Sequence, residues 1–417
     1  MIRPLPNCLS NQVNHSREPV SAFHKHSLAF IVMNEHLSIH RPSRSITILD
    51  LRDSPWVDGP GRTILDCAES LQGQGFRFLI GTFVHVSGKE SAYVTEARRR
   101  NLEVVLLQES GQFDWRILTQ LRAIMDSNHI DVVHTHDPRT NVIGLICAWL
   151  QGKPVVTTVH GWIANTFKRK VYRAIDKFFL RFFDAIISVS ERTRELIRKA
   201  WIADRKITVI SNALKIEHYQ PNRQDRTFRH ELGLDDQTAL IANIGRLSPE
   251  KGHMDFLVAA GEVVREFQNV RFVLIGTGPE QDRLEKFVGA SGLATYVHFA
   301  GYRTDMISIY NSLDLVVQSS YTEGMPNVVL EALLMEVPVI ASDVGGTAEV
   351  MDNGRNGLLN QPGNPAQLAK DICDFLADRE QLQRCTRQGR SSILDRFDHR
   401  KRVQKLSQLY QSLMKTG

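Results

Sequence analysis

From Ser45 onward, short apolar segments alternate with longer amphipathic segments, and this alternation limits the fold more than any other feature. Such a pattern indicates parallel strands joined by helices. It restarts once, after the polar segment 212–224, so we expect an α/β protein with two doubly wound, Rossmann-like domains facing a central cleft. The predicted strands are Ile46–Leu51, Phe76–Gly81, Leu102–Leu107, Ile130–His134, Pro154–Val159, Ala185–Val189 and Ile207–Ile210 in the first series, and Ala239–Ile244, Val270–Ile275, Val297–Phe299, Leu313–Val317 and Val337–Ala341 in the second.

The domain boundaries follow from where this alternation begins and restarts. The first 44 residues are polar and interrupted by prolines, with one short apolar run that is poorly placed for a signal peptide. They are either a disordered extension or the result of a start site placed too early, with Met33 as the alternative start. The last helix has apolar residues at helical spacing and could return to the first domain. The predicted units are the extension 1–44, the first domain 45–212, the second domain 213–400 and a final helix 401–417.

Composition and charge limit the partners and the cell compartment that we expect for this chain. The 417 residues carry a mild net charge of +5, which fits an anionic ligand or membrane surface but does not argue for nucleic acid. The five cysteines are scattered and odd in number, which indicates a reducing compartment. No apolar stretch reaches the length of a membrane span, so we expect a cytoplasmic protein.

Two carboxylates, Glu323 and Glu331, are separated by seven residues directly after a predicted buried strand. Pro326 suits the start of a helix, so Glu323 should lie in the loop at the end of the strand and Glu331 inside the helix. Free backbone N–H groups at a helix start attract anions. The spacing therefore predicts a site for a phosphorylated, sugar-like ligand.

A second motif, Gly245–Gly252, follows the first strand of the second series and contains Arg246 and Lys251. These cations could neutralise a diphosphate, although an exposed basic loop is the alternative. The sequence has no Asp-x-Asp pair, the usual acidic ligand pair for a metal-held diphosphate. We therefore expect no metal and no separate cofactor, with side-chain cations and helix ends stabilising a leaving diphosphate.

Other motifs leave two interpretations open. The stretch Gly276–Pro279 lacks the third glycine of a dinucleotide fingerprint, so a plain tight turn is favoured over an NAD site. Histidines at strand ends could line the cleft or be structural, and we consider metal ligation less favoured. The loop containing Gly59 and Gly61 could approach a phosphate or an acceptor, or could be a simple connection. The histidines are His134, His136 and His160.

Residues 167–183 form a basic, aromatic segment with amphipathic helical spacing. Such helices can lie on anionic membranes, which would place the protein at the inner face of the cell membrane. The alternative, which we favour, is an ordinary domain helix with a Phe-rich core face and a solvated basic face.

Four motifs taken together resemble the large retaining GT-B glycosyltransferase family typified by bacterial mannosyltransferases and sucrose synthases (family 4). The resemblance runs from about residue 45 to the end of the chain and is strongest over 240–360. It implies transfer of a sugar from a nucleotide diphosphate donor to a glycan or lipid-linked acceptor, with retained anomeric configuration and no required metal. The motifs are Gly245-Arg246 with Glu250-Lys251-Gly252, Gly276-x-Gly278-Pro279-Glu280, Glu323-x7-Glu331, and Val344-Gly345-Gly346 with Glu349.

The resemblance also implies roles for individual residues. Arg246 and Lys251 would hold the donor diphosphate and stabilise its departing charge, Glu331 would bind the ribose hydroxyls, and Glu323 would contact the donor sugar. His160 would lie near the reacting carbon as a further catalytic residue. The first domain would bind the acceptor and the second the nucleotide sugar. Further donor contacts fall on Gly324, Met325, Pro326, Asn327, Gly301, Tyr302 and Arg303, and the acceptor or phosphate loop on Gly59, Gly61 and His136.

One feature departs from the family, because Pro60 stands between Gly59 and Gly61 where two adjacent glycines are common. Proline stiffens the loop and removes an N–H donor. Three other functions are compatible with the same residues: a non-catalytic nucleotide-sugar binder, a nucleotide-sugar epimerase of this architecture and, least favoured, an NAD-dependent dehydrogenase.

Overall fold

A computed structural model describes residues 45–88, 90–111, 114–161 and 174–415. Within these ranges the chain forms two parallel sheets with helices on both faces, which confirms the predicted doubly wound α/β architecture. The sequence predicted twelve of the strands, because parallel strands buried on both faces are continuous apolar runs. The short strand Leu358–Asn360 was missed, since three half-buried residues at a sheet edge give little hydrophobic signal.

The first sheet has seven strands in the order β3-β2-β1-β4-β5-β6-β7. All neighbouring pairs are parallel, and Asp50 of β1 lies opposite His134 of β4. The strands are β1 (Ile46–Arg52), β2 (Phe76–His85), β3 (Glu103–Glu109), β4 (Val132–Thr135), β5 (Val155–Val159), β6 (Ala185–Ser188) and β7 (Ile207–Val209). The labelled helices are α1 (Gly59–Leu71), α2 (Ala92–Arg99), α3 (Arg116–Ser127), α4 (Pro138–Leu150) and α5 (Glu191–Arg198).

The second sheet has six parallel strands in the order β10-β9-β8-β11-β12-β13. Its strands are β8 (Ala239–Ile244), β9 (Val270–Ile275), β10 (Val297–Gly301), β11 (Leu315–Gln318), β12 (Val339–Ser342) and β13 (Leu358–Asn360). The helices are α6 (Thr227–Glu231), α7 (His253–Glu266), α8 (Gln281–Ala290), α9 (Met306–Ser312), α10 (Asn327–Leu334), α11 (Thr347–Val350), α12 (Pro365–Ala377), α13 (Arg379–Arg396) and α14 (His399–Leu413).

The last helix, α14, packs against the first domain although it follows the second in sequence. Its apolar residues Leu406, Tyr410 and Leu413 are buried in the core between α1 and the first sheet. The start of α14 is fixed to the segment between the domains, since the N–H of Leu214 donates to the carbonyl oxygen of Phe397 and the N–H of His399 donates to that of Leu214. The helix therefore joins the far end of the chain to the first sheet.

Each sheet reverses its strand order once, between β1 and β4 in the first and between β8 and β11 in the second. Such switch points leave a crevice at the carboxyl ends of the strands, where ligands of doubly wound proteins bind. Among the helices in the described ranges, none combines the length and apolar character that crossing a membrane requires. The proposed membrane segment 167–183 lies partly outside the described residues, which resume with a helical stretch at 174–179.

Candidate active site

The two domains meet backbone to backbone at the mouth of the cleft. A Cβ on Gly324 would lie 2.0 Å from the carbonyl oxygen of His160, and Gly161, at φ +107°, lies against the backbone of Gly324. A side chain at residue 324 would push the domains apart, because a contact this short excludes any Cβ. The loop after β5 and the loop after β11 are therefore held in direct contact.

On the second-domain side, Glu323 is surrounded by donors. Its Oε1 accepts hydrogen bonds from Lys251 Nζ at 2.7 Å, from Ser320 Oγ at 2.7 Å and from Gln318 Nε2 at 3.1 Å. Lys251 comes from the loop after β8 and the other three residues from the end of β11 and the loop that follows. The switch point of the sheet thus brings together the two motifs that the sequence singled out.

These contacts keep both members of the pair charged. Burial opposes ionisation of Glu323, but Lys251 and the hydrogen bonds outweigh it and hold the pKa of the carboxyl below its ordinary range. Burial likewise opposes the charge on Lys251, yet Glu323 raises the pKa of the ammonium above its ordinary value. A carboxylate and a cation therefore face the cleft at neutral pH.

Arg246 provides a further positive charge at the carboxyl end of β8. Its side chain is exposed, and its guanidinium makes no hydrogen bond or ion pair with any described residue. The turn at Gly276–Pro279 supports this loop: a Cβ on Gly278 would lie 2.3 Å from the carbonyl oxygen of Leu247. The close packing of this turn agrees with a structural role for these glycines.

The start of α10 presents unpaired donors beside Glu323. The backbone N–H groups of Gly324, Met325 and Asn327 donate no hydrogen bond within the described part of the chain, and Pro326 precedes the first helical residue. Asn212 of the first domain donates to the carbonyl oxygen of Met325 and to Asn327 Oδ1. The loop is therefore fixed in place while its N–H groups stay available for an anion.

Glu331 lies inside α10, where its carboxylate is buried. Oε2 accepts a hydrogen bond of 2.8 Å from the hydroxyl of Tyr310, and Oε1 forms an ion pair with Arg62 of α1. Arg62 follows Gly61 directly, so the loop of the first domain reaches across the cleft to this acid. A ligand hydroxyl that bound Glu331 would have to share it with, or displace, Arg62.

On the first-domain side, a polar cavity of about 280 Å³ opens beside His160. Gly59 and Pro60 begin α1 at its rim, but the N–H of Gly61 donates to the capping carboxylate of Asp58 at 2.9 Å. Gly61 is therefore used to build the helix start and does not offer its N–H to a phosphate. The cavity is lined by Arg52, Asp53, Ser54, Asp58, Pro60, His136, Asp137, Pro138, Asn141, Thr158, Val159, His160, Gly161 and Asp176.

Two family models match the chain in succession. Residues 57–218 match the model described as Glycosyltransferase Family 4, and residues 224–392 match the model described as Glycosyl transferases group 1. Both matches fall on the two sheets whose switch points form the cleft. The chain belongs to the GT-B glycosyltransferases.

Similar proteins agree with this assignment. The chain is 27% identical over 382 residues to the UDP-Gal:α-D-GlcNAc-diphosphoundecaprenol α-1,3-galactosyltransferase of Escherichia coli, covering 88% of this chain and 96% of the relative. It is 25% identical to the capsular polysaccharide biosynthesis glycosyltransferase CapM of Staphylococcus aureus, covering 68% and 77% of the two chains. The crystal structure of HepE of Anabaena in complex with UDP-glucose has the same fold, with a TM-score of 0.80, 23% identity and coverage of 88% of this chain and all of HepE.

In this glycosyltransferase not every predicted site residue lies free in the cleft. Gly301 ends β10, and the side chain of Tyr302 is 63% exposed. Arg303 is tied to the carboxylates of Glu231 and Asp305, so it brings no net free charge to a ligand. The side chain of His136 is buried next to His160, and His136 lines the same polar cavity as Asp58 and Pro60 at the start of α1.

Within the described ranges, one group of side chains could hold a metal ion: Asp50, His134 and His136 have atoms within 4.8 Å of one another. Both ring nitrogens of His134 are already used, by the hydroxyl of Tyr410 at 2.7 Å and by that of Thr158 at 2.8 Å. Metal binding would have to break one of these buried hydrogen bonds. The group is better described as a hydrogen-bonded network than as a metal centre.

Sequence reasoning missed five residues that complete the site. Gln318 and Ser320 precede Glu323 so closely that they read as ordinary strand-end polar residues. Arg62, Asp50 and Tyr310 come from segments far from the acids and histidines that they contact. The only available signal was polarity at strand ends, which does not say which side chains meet.

Proposed function

We propose that this chain transfers a sugar from a nucleotide diphosphate donor to a glycan or lipid-linked acceptor in polysaccharide, lipopolysaccharide or glycolipid assembly. The anomeric configuration is retained and no metal is required. The observation that carries the proposal is the pair of Lys251 and Glu323 beside the unpaired N–H groups at the start of α10. This arrangement offers positive charge to a leaving diphosphate and a carboxylate to the sugar.

The proposed binding of the donor diphosphate rests on the positive charge in the second domain. A departing nucleotide develops negative charge on its diphosphate, and preorganised cations and N–H groups stabilise that charge most in a site shielded from water. Arg246, Lys251 and the N–H groups of Gly324 and Met325 all belong to the second domain, and Lys251 is held by Glu323. Glu331 binds the ribose hydroxyls. Because relatives are named for UDP-galactose or bound to UDP-glucose, UDP-sugars are the first donors to test.

The reaction proceeds on one face of the sugar, with the leaving phosphate helping to deprotonate the acceptor. Glu323 is ionised and held by three donors, so it stabilises positive charge on the sugar ring rather than donating a proton. His160 lies across the cleft from it, where its carbonyl oxygen packs on Gly324. Retention is measured directly from the anomeric signals of the product.

The acceptor enters from the first domain. A second cavity, of about 550 Å³, shares Asp53, Asp137, Pro138 and Asp176 with the polar cavity beside His160 and continues along α3 and α4. Its far wall is apolar, which suits the hydrocarbon part of a lipid-linked acceptor, and the E. coli relative is named for an undecaprenol-linked one. The apolar wall consists of Ile117, Leu118, Val142, Ile143, Ile146 and Ile175.

The test is nucleotide release from UDP-, GDP- and ADP-sugars in the presence of an acceptor panel, with and without EDTA. We expect turnover that survives EDTA and falls by about 10² or more in Lys251→Ala, because one preorganised donor to a developing charge contributes about that factor. Lys370→Ala is the matched control: Lys370 also forms an ion pair, with Asp374, but on the exposed surface of α12.

The outcomes separate the alternatives. Unchanged turnover in Lys251→Ala contradicts the proposed role of the pair. Binding of a nucleotide sugar without turnover across the panel favours a non-catalytic binder, and conversion of the sugar with no acceptor present favours an epimerase. Loss of turnover on adding EDTA contradicts metal independence.

We also propose peripheral contact with an anionic membrane, which would bring the enzyme to a lipid-linked acceptor. The described end of the segment 167–183 leaves Phe178 and Phe182 more than half exposed, with their rings in contact at 5.4 Å. Exposed aromatic rings beside basic residues are typical of interfacial helices.

A further inference from the structure

Three side chains form a chain that leads from inside the first sheet to His160. Asp50 Oδ1 lies 3.0 Å from His136 Nε2, and His136 Nδ1 lies 3.2 Å from His160 Nε2. The last atom of the chain, His160 Nδ1, is buried and has no hydrogen-bond partner in the described residues. His160 also borders the polar cavity. The series Asp50–His136–His160 therefore ends at the active site with a ring nitrogen that is not used in a hydrogen bond.

We infer that Asp50, acting through His136, fixes which ring nitrogen of His160 carries the proton and so presents Nδ1 as an acceptor to a hydroxyl of the bound donor sugar. The inference rests on the proposed function. Asp50 and His136 are positioning residues, since in this inference they act on the sugar hydroxyl only through the ring of His160. The ligand class is a sugar hydroxyl, which donates its hydrogen to that nitrogen.

The argument follows from the number of protons on each ring. The contact between Asp50 and His136 lacks the linear geometry of a hydrogen bond, but a carboxylate oxygen 3.0 Å away still favours a proton on Nε2, because two facing lone pairs repel. A neutral imidazole has one N–H, so Nδ1 of His136 accepts from Nε2–H of His160. Nδ1 of His160 is then left without a proton.

The three histidine rings are neutral and are held in position by their neighbours. Burial, with smaller contributions from neighbouring histidines and arginines, lowers the pKa of His134, His136 and His160 well below the ordinary value. The ring of His134 packs against that of His136, with centroids 4.2 Å apart and planes tilted by 38°, and His134 is itself anchored by Tyr410 and Thr158. Since both ring nitrogens of His134 already make hydrogen bonds, His134 supports the position of His136 but is not itself part of the series Asp50–His136–His160.

Acid should reverse the direction of the hydrogen bonds that run from His160 through His136 to Asp50. Burial raises the pKa of Asp50 to about 6, with His134 and Arg52 acting in the opposite direction. Once protonated, the carboxylic acid donates to Nε2 of His136, the ring proton of each histidine moves from Nε2 to Nδ1, and Nδ1 of His160 becomes a donor. One proton enters from solvent and the number on each ring is unchanged. The titratable and charged groups that face Asp50 or the rings are Arg52, Cys67, Tyr93, His134, His136, Arg402 and Tyr410.

The experiment is ¹⁵N NMR of the full chain with labelled histidine, which reports the protonated nitrogen of each ring without any substrate. At pH 8 we expect His160 with its proton on Nε2 in the wild type, and a shift of the population toward Nδ1 in Asp50→Asn. Steady-state kinetics should show kcat reduced about tenfold in Asp50→Asn, with the donor KM changed less than twofold. The acidic limb of the wild-type kcat near pH 6 should disappear in this variant.

Tyr410→Phe is the control, because it removes the anchor of His134 but leaves the three-member chain intact. It should lower the melting temperature without changing the tautomer of His160. An identical tautomer of His160 in the wild type and Asp50→Asn overturns the inference. If Asp50→Asn does not fold, titrating the wild type from pH 8 to pH 5 decides the question, since an unchanged tautomer also overturns it. The NMR result stands even if the chain transfers no sugar, so failure of the two proposals is distinguishable.

Discussion

At the scale of single residues, the site depends on charges that are buried together. Glu323 and Lys251 each oppose the cost of burying the other, and a buried ion pair is costly to break because the remaining partner keeps its charge without compensation. Gln318 and Ser320 remain on Glu323 when Lys251 is absent, so the carboxylate keeps part of its support. The pair therefore contributes to the stability of the second domain in addition to its proposed role in binding the donor diphosphate.

Replacing Glu323 by Gln should destabilise the protein by about 2 kcal/mol at pH 7.5, because Lys251 is left half-buried without its partner. The folded-state pKa of Glu323 is depressed, so its contribution is present above the unfolded value of roughly 4.3 and is lost as pH falls through the folded pKa. The difference between wild type and variant should therefore narrow between pH 5 and pH 3.5. Urea unfolding at several pH values measures it.

The control for this prediction is Glu262→Gln, which makes the same change on the exposed side of α7. Its stability difference from the wild type should be small at every pH. A difference for Glu323→Gln that stays constant down to pH 3.5 would show that the ion pair does not contribute in the way proposed.

At the scale of secondary-structure elements, the sequence predicted more of the structure than it did at the scale of side-chain contacts. Strands buried on both faces are apolar runs, and their order along the chain is enough to indicate two doubly wound sheets. The position of Glu323 and Lys251 at strand ends followed from the same pattern. The residues that support the cleft histidines did not, because Asp50, which contacts His136, and Tyr410, which bonds His134, are distant in the sequence and are brought there only by the strand order and the return of α14. A one-dimensional pattern carries no information on such pairings.

The described end of the segment 167–183 provides a test of membrane contact. Phe178→Ser combined with Phe182→Ser should reduce co-sedimentation with vesicles containing anionic lipid by severalfold, because two exposed rings can no longer enter the interface. Wild-type binding should weaken at high salt, since the basic residues contribute through screened charges. Tyr302→Ser, an exposed aromatic of the second domain, is the control. No binding of the wild type at low salt would contradict membrane contact.

At the scale of the whole molecule, side-chain contacts hold the two domains against each other. Arg192 pairs with Asp343 at 2.7 Å, and the carboxylate of Glu349 accepts hydrogen bonds from the first N–H groups of α5, those of Glu191 and Arg192, at 3.0 Å each. The second domain thus caps a helix of the first. Arg62 adds a cross-domain ion pair at Glu331. If Glu331 binds the ribose as proposed, domain closure and nucleotide binding use the same carboxylate, and a nucleotide that displaces Arg62 must supply its own contacts between the domains.

Glu349→Ala should shift the unliganded protein toward an open form. Removing a helix cap costs about 1 kcal/mol, which corresponds to about a fivefold change in the ratio of open to closed molecules. Small-angle X-ray scattering should show a larger radius of gyration for the variant than for the wild type, and saturating UDP should reduce the difference, because bound nucleotide contacts favour the closed form. The affinity for UDP should fall by up to the same factor, since part of the binding free energy is then used to close the domains.

Glu262→Ala, which removes an exposed carboxylate that contacts neither domain interface nor ligand site, should match the wild type in both measurements. A scattering profile of Glu349→Ala that matches the wild type without UDP would mean that the cap does not hold the domains together.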